Sequence, residues 1–241
     1  MKKVVIVIPT YNECKPIQGL LSTIFRLLPE VRVIVVDDNS PDKTAEKVKS
    51  LLVKYKHLHL ISRKGKGGRG SAVMTGFKHA FKHFKPDIYI EMDADFSHEP
   101  KEIKNIISLS KENAVVLASR YLKGSKIINW PIKRHLASRI SNLLVRLVLK
   151  LPLRDNTNGY RCYQRKAIKI LLGHQFINQG YMVLSESAYL LYQKGFKLVE
   201  IPSVFVSKYM EKSNATIKEF LTAFSGLLKI KENISSKPTK D

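Results

Sequence analysis

The segment Val31–Thr44, VRVIVVDDNSPDKT, decides the fold. Five of its first six residues are β-branched and apolar, and they do not alternate with polar ones. A strand of this kind is buried on both faces, as in a parallel sheet covered by helices. The run stops on Asp37-Asp38, a residue type that opens turns. Thr44 then stands as the N-cap of a helix predicted over Thr44–Tyr55. The unit is strand, loop, helix.

The same unit repeats outward from this segment. Lys2–Pro9 (KKVVIVIP) is a first buried strand, and Ile17–Leu28 has helical spacing at Ile17, Leu20, Leu21, Ile24 and Leu28. Leu58–Ser62 is a third strand, followed by a Gly-rich loop over Gly65–Gly70 and a helix over Ser71–Phe84. Asp87–Met92 is a fourth strand, Lys101–Lys111 a helix and Ala114–Ala118 a fifth strand. This alternation predicts parallel βαβ units in an α/β sandwich. Beyond residue 120 the pattern changes to a long basic amphipathic helix over Trp130–Leu151, a strand-like Phe196–Val206 and a second amphipathic segment over Ala215–Ile230. One domain over residues 1–230 is expected, containing the amphipathic segments 130–151 and 215–230, with a polar tail over 231–241.

The 241 residues carry 42 Lys and Arg against 20 Asp and Glu, a net charge of +22. A chain this charged seeks a polyanion: nucleic acid, an anionic membrane or a phosphorylated substrate. Half of the surplus is local. Tyr121–His174 holds twelve basic residues and one acid, Asp155, a net +11. Cys14 and Cys162 make neither a metal-binding pair nor a disulfide framework, which points to a reducing compartment. The N-terminus has no signal-peptide layout. No apolar run approaches 18 residues, so no membrane span is expected.

Ligands of parallel α/β sheets bind at the carboxyl ends of the strands. Three predicted strands end in polar, acidic loops: Pro9–Glu13, Asp37–Asp42 and Asp93–Pro100. Each alone is also compatible with turn chemistry, but on one edge they make one site. Asp93 and Asp95, one residue apart, suit a hard divalent cation that bridges to phosphate oxygens. The loop Gly65–Ala72 (GKGGRGSA) lacks the ending of a P-loop and the position of a dinucleotide fingerprint. It reads equally as a turn into a helix and as a close backbone approach to a ligand.

Val36–Thr44 (VDDNSPDKT), Glu91–Pro100 (EMDADFSHEP) and Ser119-Arg120-Tyr121 resemble the inverting glycosyltransferases of family 2 with the GT-A fold. More closely, they resemble the dolichyl- or polyprenyl-phosphate mannose synthases, from about Val4 to about Ser213. The resemblance implies a Rossmann-like, mostly parallel sheet flanked by helices, with amphipathic interface helices in the C-terminal half. It implies inverting transfer of mannose from GDP-mannose to a dolichyl or polyprenyl monophosphate. Pro9, Tyr11, Glu13, Val36 and Asp38 are then implied to hold the donor nucleoside, with Ala72 at the donor site. Asp93, Ala94 and Asp95 meet the diphosphate and its Mg²⁺ or Mn²⁺, Asp95 the more direct ligand, with Ser97 beside them. Arg120, Arg134 and Ser138 face the acceptor phosphate, and Asp93, Asp95 and Arg120 are the catalytic set. Asn158–Arg161 resembles the family's Ser-Gly-Phe-Arg segment, and Glu186 matches an acid on a helix near the active site.

The family's later motif, Arg-x-x-Gly-x-Ser-Lys, helps close the site over diphosphate. Here Lys208, Glu211 and Asn214 replace its Arg, Gly and Lys, while Ser213 is kept. Lys208 keeps a point charge for the donor but loses the bidentate fork. The nucleoside loops leave a polyprenyl-phosphate glucosyltransferase using a UDP-sugar as an alternative. A non-catalytic basic module for membranes or nucleic acid explains the charge but not the acidic loops. Aromatics are not interleaved with the basic block as stacking on nucleic acid requires. A polyprenyl phosphate lies in a bilayer, so residues 130–151 read as an interfacial helix docking the chain on the cytoplasmic face of an anionic membrane. A membrane-embedded partner subunit is equally compatible.

Overall fold

The structure is a computed structural model that describes residues 2–177, 180, 182–207 and 217–235, with the side chains of the last helix described from residue 224 to 234. Lys208 and Ser213 lie outside the described residues. Strands β1 (Val4–Thr10), β2 (Arg32–Asp37), β3 (Leu58–Ser62) and β4 (Ile88–Glu91) alternate with helices α1 (Cys14–Leu27), α2 (Thr44–Leu51) and α3 (Arg69–His83). A single turn over Pro100–Glu102 leads into α4 (Ile103–Ser108), β5 (Ala114–Ser119), β6 (Lys126–Ile128) and α5 (Ile132–Leu149). Then come β7 (Arg161–Gln164), α6 (Arg165–Leu172), α7 (Met182–Gln193), β8 (Lys197–Pro202), β9 (Val204–Val206) and α8 (Ile217–Ser235).

Seven strands form one sheet in the order β3-β2-β1-β4-β7-β5-β8. All neighbours are parallel except β7, which runs antiparallel to both β4 and β5. The mostly parallel α/β sandwich is as the sequence predicts. Strand β7 was not legible: its four residues, RCYQ, carry no alternation and no long apolar run. Its reversed direction has a consequence for the site. It starts at the edge where β4 and β5 end, so residues 157–159 arrive beside Asp93 and Arg120.

The sheet is covered on both faces. Val5 and Val7 of β1 face a core shared with α3, α5, α6, α7 and α8, while Ile6 and Ile8 face a core shared with α1 and α4. At Gly76 a Cβ would press into the Val7 side chain, so glycine lets α3 lie close to β1. The predicted strand Phe196–Val206 breaks at Ser203: β8 ends the large sheet, and β9 pairs with β6 in a separate two-stranded ribbon. Thr44 does not cap α2. Lys43 precedes the helix with φ 66°, and the Thr44 hydroxyl instead accepts the Glu13 N–H at 3.0 Å, tying two active-edge loops together. Helix α8 continues to Ser235, past the expected end at Ile230, because Ile234 is buried against the core.

Arg161 locks β7 in place. It is fully buried, and it donates to the carbonyls of Asn158 at 2.8 Å, Asn156 at 2.8 Å and Leu184 on α7. Loss of this buried donor removes three hydrogen bonds at once, and only the Asn156 and Leu184 carbonyls keep a second side-chain donor, the hydroxyls of Ser185 and Ser187. The Arg161→Met variant is expected to lose roughly 3 kcal/mol or more. Thermal unfolding monitored by circular dichroism should show its midpoint lowered by about 6–12 °C.

Candidate active site

A cleft of about 950 Å³ opens where β1, β2, β4 and β5 end and β7 begins. It gathers Pro9, Tyr11, Glu13, Asp38, Ala72, Asp93, Ala94, Asp95, Ser97, Arg120, Arg134 and Ser138 into one lining. Val36 is not among them. It is fully buried in β2, and a residue inside a strand covered on both faces cannot turn its side chain to the strand end. Its carbonyl alone lies toward the edge, 3.4 Å from the Thr10 hydroxyl.

The acidic loops are built by arginine forks that the sequence did not announce. Asp37 is buried and takes the Thr10 hydroxyl at 2.9 Å and the Ser40 hydroxyl at 2.6 Å, closing the β1 and β2 loops on each other. Asp38 accepts Arg63 through two bonds of 2.5 and 2.6 Å, and then the N–H groups of Gly67 at 3.0 Å and Gly68 at 3.2 Å. The Gly-rich loop is therefore shaped by Asp38 before it turns into α3. Asp42 receives the Thr44 hydroxyl and the N–H of Cys14 at the start of α1. Burial would raise the Asp42 pKa, but these hydrogen bonds outweigh it and hold it below the ordinary value.

Arg69 opens α3 and enters the sheet beneath Asp93. It bonds Asp93 at 2.7 Å, Glu91 at 2.7 Å and the Gly159 carbonyl at 2.9 Å, while Tyr163 gives its hydroxyl to the other Glu91 oxygen at 2.7 Å. A side chain at Gly159 would occupy the space of the Arg69 guanidinium. Burial favours protonation of Asp93, yet the charges of Arg69, His98 and Arg120 hold its pKa below the ordinary value. The Asp93 N–H donates to Nδ1 of His98 at 3.1 Å, and the His98 ring stacks on Tyr160 at 4.9 Å.

A third fork stands across the cleft. Arg120 bonds Asp155 twice at 2.7 Å and the Thr157 hydroxyl at 2.7 Å. Its guanidinium is bordered by Trp130 and Phe205, at 5.1 and 5.4 Å from the ring centres. Arg134 differs. It has no carboxylate partner among the described residues and reaches only the Ser207 hydroxyl at 3.2 Å and the Trp130 ring at 4.6 Å. Ser138 accepts the Tyr121 hydroxyl at 2.6 Å.

Asp95 is the counterpart of Arg134 at the acidic pole. It makes no ion pair among the described residues, and only its Oδ1 accepts the Ser97 N–H at 2.9 Å. No three His, Cys, Asp or Glu side chains converge on one point among the described residues. Asp95, one oxygen of Asp93 and the Ser97 hydroxyl form a hard, oxygen-only set. It fits a divalent cation that takes its remaining ligands from water and a diphosphate.

Glu186 does not face the cleft. It is fully buried on α7, 2.9 Å from His174 and accepting the Ile177 N–H at 3.0 Å. Arg63, Arg69, Asp155 and Thr157 are the site residues that sequence reasoning missed. The one available signal was an arginine inside the Gly-rich loop and an acid, Glu91, just before Asp93.

Residues 5–172 match the model of the glycosyl transferase family 2 family. The chain belongs to that family. It is 31% identical to the undecaprenyl-phosphate mannosyltransferase of Micrococcus luteus over 211 residues, covering 88% of this chain and 86% of that protein. It is 34% identical to the dolichol-phosphate mannosyltransferase of Pyrococcus furiosus over 235 residues, covering 94% of this chain and 64% of that one. Among solved structures it superposes on a mannosyltransferase from Pyrobaculum calidifontis in complex with GDP-Man and Mn²⁺ with a TM-score of 0.62. The identity is 18%, with 95% of this chain and 70% of that chain covered. Glucosyl-3-phosphoglycerate synthase from Mycobacterium tuberculosis gives a TM-score of 0.67 at 16% identity, covering 99% and 80%. The fold of this family 2 glycosyltransferase is GT-A, as the motifs imply, and both of these solved structures are complexes with Mn²⁺.

The Arg120–Asp155 fork makes stability depend on pH. Burial would raise the Asp155 pKa, but the hydrogen bonds and charge of Arg120 hold it below 3.8. A depressed carboxylate stabilises the fold above its unfolded pKa and loses that contribution as pH falls through its folded one. Thermal melts from pH 6 down to about pH 2 should show a midpoint that drops steeply below about pH 4. The Asp155→Asn variant should melt lower at pH 6 and show a flatter acid slope.

Proposed function

We propose that the chain transfers mannose from GDP-mannose to a dolichyl or polyprenyl monophosphate, with inversion at the sugar carbon. One observation carries the reading: a single cleft holds a carboxylate, Asp95, at one pole and an arginine, Arg134, at the other, neither with an ion-pair partner among the described residues. A nucleotide diphosphate with its metal suits the first pole, and a second phosphate suits the other. The names of the curated relatives, mannosyltransferases for undecaprenyl and dolichol phosphates, support this pairing of substrates.

The residues divide the work. Pro9, Tyr11, Glu13 and Asp38 border the nucleoside end, Val36 contributing its backbone only. Ala72 presents no bulk there. The Lys66 ammonium sits 4.1 Å over the Tyr11 ring, where it can meet donor phosphate. Asp95, with Asp93 and Ser97, would hold Mg²⁺ or Mn²⁺, which supplies charge stabilisation for the departing diphosphate. Lys208 and Ser213 belong to the same donor end in this reading. Arg120 and Arg134 orient the acceptor phosphate, with Ser138 beside them.

An acceptor phosphate is already anionic, so no general base has to remove a proton. One of its oxygens forms the bond to the anomeric carbon as the bond to the GDP oxygen breaks. Asp155 keeps Arg120 rigid for this task, and Trp130 and Phe205 exclude water from its face. Orientation of this kind can lower a barrier by several kcal/mol.

The acceptor's lipid tail places the work at a membrane, on the cytoplasmic face where nucleotide sugars are at hand. No helix among the described residues is long and apolar enough to cross one. Helix α5 is the surface that would meet it, because Ile132, Leu136, Ile140, Leu143 and Leu147 form one exposed apolar row.

A radiolabelled transfer assay with short polyprenyl phosphates tests the reading. GDP-mannose should label the lipid; labelling by UDP-glucose alone would move the donor assignment to the UDP-sugar alternative. Asp95→Asn should lower kcat by about 100-fold or more, since the charge stabilisation at stake is several kcal/mol. In the same assay Arg134→Ala should raise the acceptor KM roughly 10-fold or more. Arg134→Lys should recover part of that loss.

A further inference from the structure

Helix α5 has three faces with different jobs. Asn142, Val145 and Leu149 are buried, and Asn142 pins the helix by bonding Thr157 at 3.2 Å and the Asn156 N–H at 2.6 Å. Ile132, Leu136, Ile140, Leu143 and Leu147 recur every three or four residues and are 44–86% exposed. At 100° per residue these form one stripe facing away from the core. Arg139 and Arg146, seven residues apart, stand together on the flank between the stripe and the buried face.

That flank borders a separate hollow of about 230 Å³. Arg139, Arg146 and Arg154 line it with Tyr121, Asn142 and Leu143. The Arg139 guanidinium lies 5.9 Å from the Tyr121 ring. None of the three arginines forms an ion pair among the described residues. The two acids nearby are already engaged. Asp155 is buried and held by Arg120, and Glu200 accepts the backbone N–H groups of Arg154 and Asp155. Three like charges around one hollow with no carboxylate in its lining repel one another until an anion enters.

The geometry points to a second anion site in this hollow, for the phosphate headgroup of an anionic membrane lipid that is not the substrate. This inference rests on the membrane-docking reading of α5. The guanidiniums stand at the border of the apolar stripe, where arginine stems can lie along apolar surface and hold their heads at phosphate level. Leu143 belongs to both the stripe and the hollow, so an acyl chain entering at the stripe carries its headgroup to the arginines. Arginine forks match phosphate oxygens bidentately. The substrate-phosphate pole is different: Arg134, Ser138 and Ser141 line the large cleft and do not line this hollow.

Vesicle co-sedimentation of the full chain tests it. Phosphatidylcholine vesicles are compared with the same vesicles containing phosphatidylglycerol. Wild type should bind the anionic vesicles more tightly. The triple variant Arg139→Gln, Arg146→Gln, Arg154→Gln should lose that preference, with a fall roughly fivefold per charge and on the order of 100-fold in total. Its binding to neutral vesicles and its transfer to a short, water-soluble acceptor phosphate should be unchanged. A control triple, Lys49→Gln, Lys54→Gln, Lys56→Gln, removes equal charge from the α2 side and should change little. An equal fall in that control means diffuse charge and overturns the site. A loss of transfer to the soluble acceptor assigns the arginines to substrate and also overturns it. Leu136→Ser with Leu147→Ser examines the docking itself and should weaken both vesicle types. Binding to neither vesicle by wild type removes the docking reading and the headgroup site with it, whereas preserved docking with an unaltered triple variant removes the site alone.

Discussion

Carboxylates brought together at the ends of parallel strands repel one another, and the cleft exists because arginines answer them. Arg63 forks onto Asp38, Arg69 bridges Glu91 and Asp93, and Arg120 forks onto Asp155. Each arginine comes from a different stretch of chain than its acid, so each pair also joins two loops. Arg69 reaches furthest, linking the first turn of α3 with the end of β4 and the start of β7. The pairs are buried or nearly so, which makes removal of one partner costly, because the other charge is then left without compensation.

The same pairing decides what the cleft can offer a ligand. Asp38, Glu91, Asp93 and Asp155 each meet an arginine within the protein, Glu91 and Asp93 sharing Arg69. Among the described residues Asp95 and Arg134 have no ion-pair partner, and they stand at opposite poles. In the proposed reaction the unpaired groups are free to meet ligand charge, while Asp93 and Arg120 meet it from positions that their partners fix. Tyr163 and Gly159 support the first of these positions: one completes the bonds to Glu91, the other leaves room for Arg69.

The surplus charge of the chain also separates into two kinds. Arg120 and Arg161 are consumed inside the fold, the first by Asp155 and the second by three carbonyls. Arg139, Arg146 and Arg154 remain at the surface beside an apolar stripe that the core does not use. A single net figure of +22 could not distinguish a buried clasp from a surface available to lipid.

The apolar runs of β1, β2 and β5 and the spacing of α1 made the α/β sandwich legible in the sequence, because burial on both faces leaves no alternation to misread. The loops Pro9–Glu13, Asp37–Asp42 and Asp93–Pro100 could be placed on one edge for the same reason, since parallel strands share a direction. The tertiary structure decided the rest. Strand β7 is four residues long and takes its place from Arg161 and its neighbours, not from any local pattern. Val36 holds its place in a motif, but its side chain is buried inside a strand covered on both faces. Arg63, Arg69 and Asp155 meet their partners across 22 to 35 residues of sequence. Such pairings follow from where the sheet brings the chain back, and no window of neighbouring residues contains them.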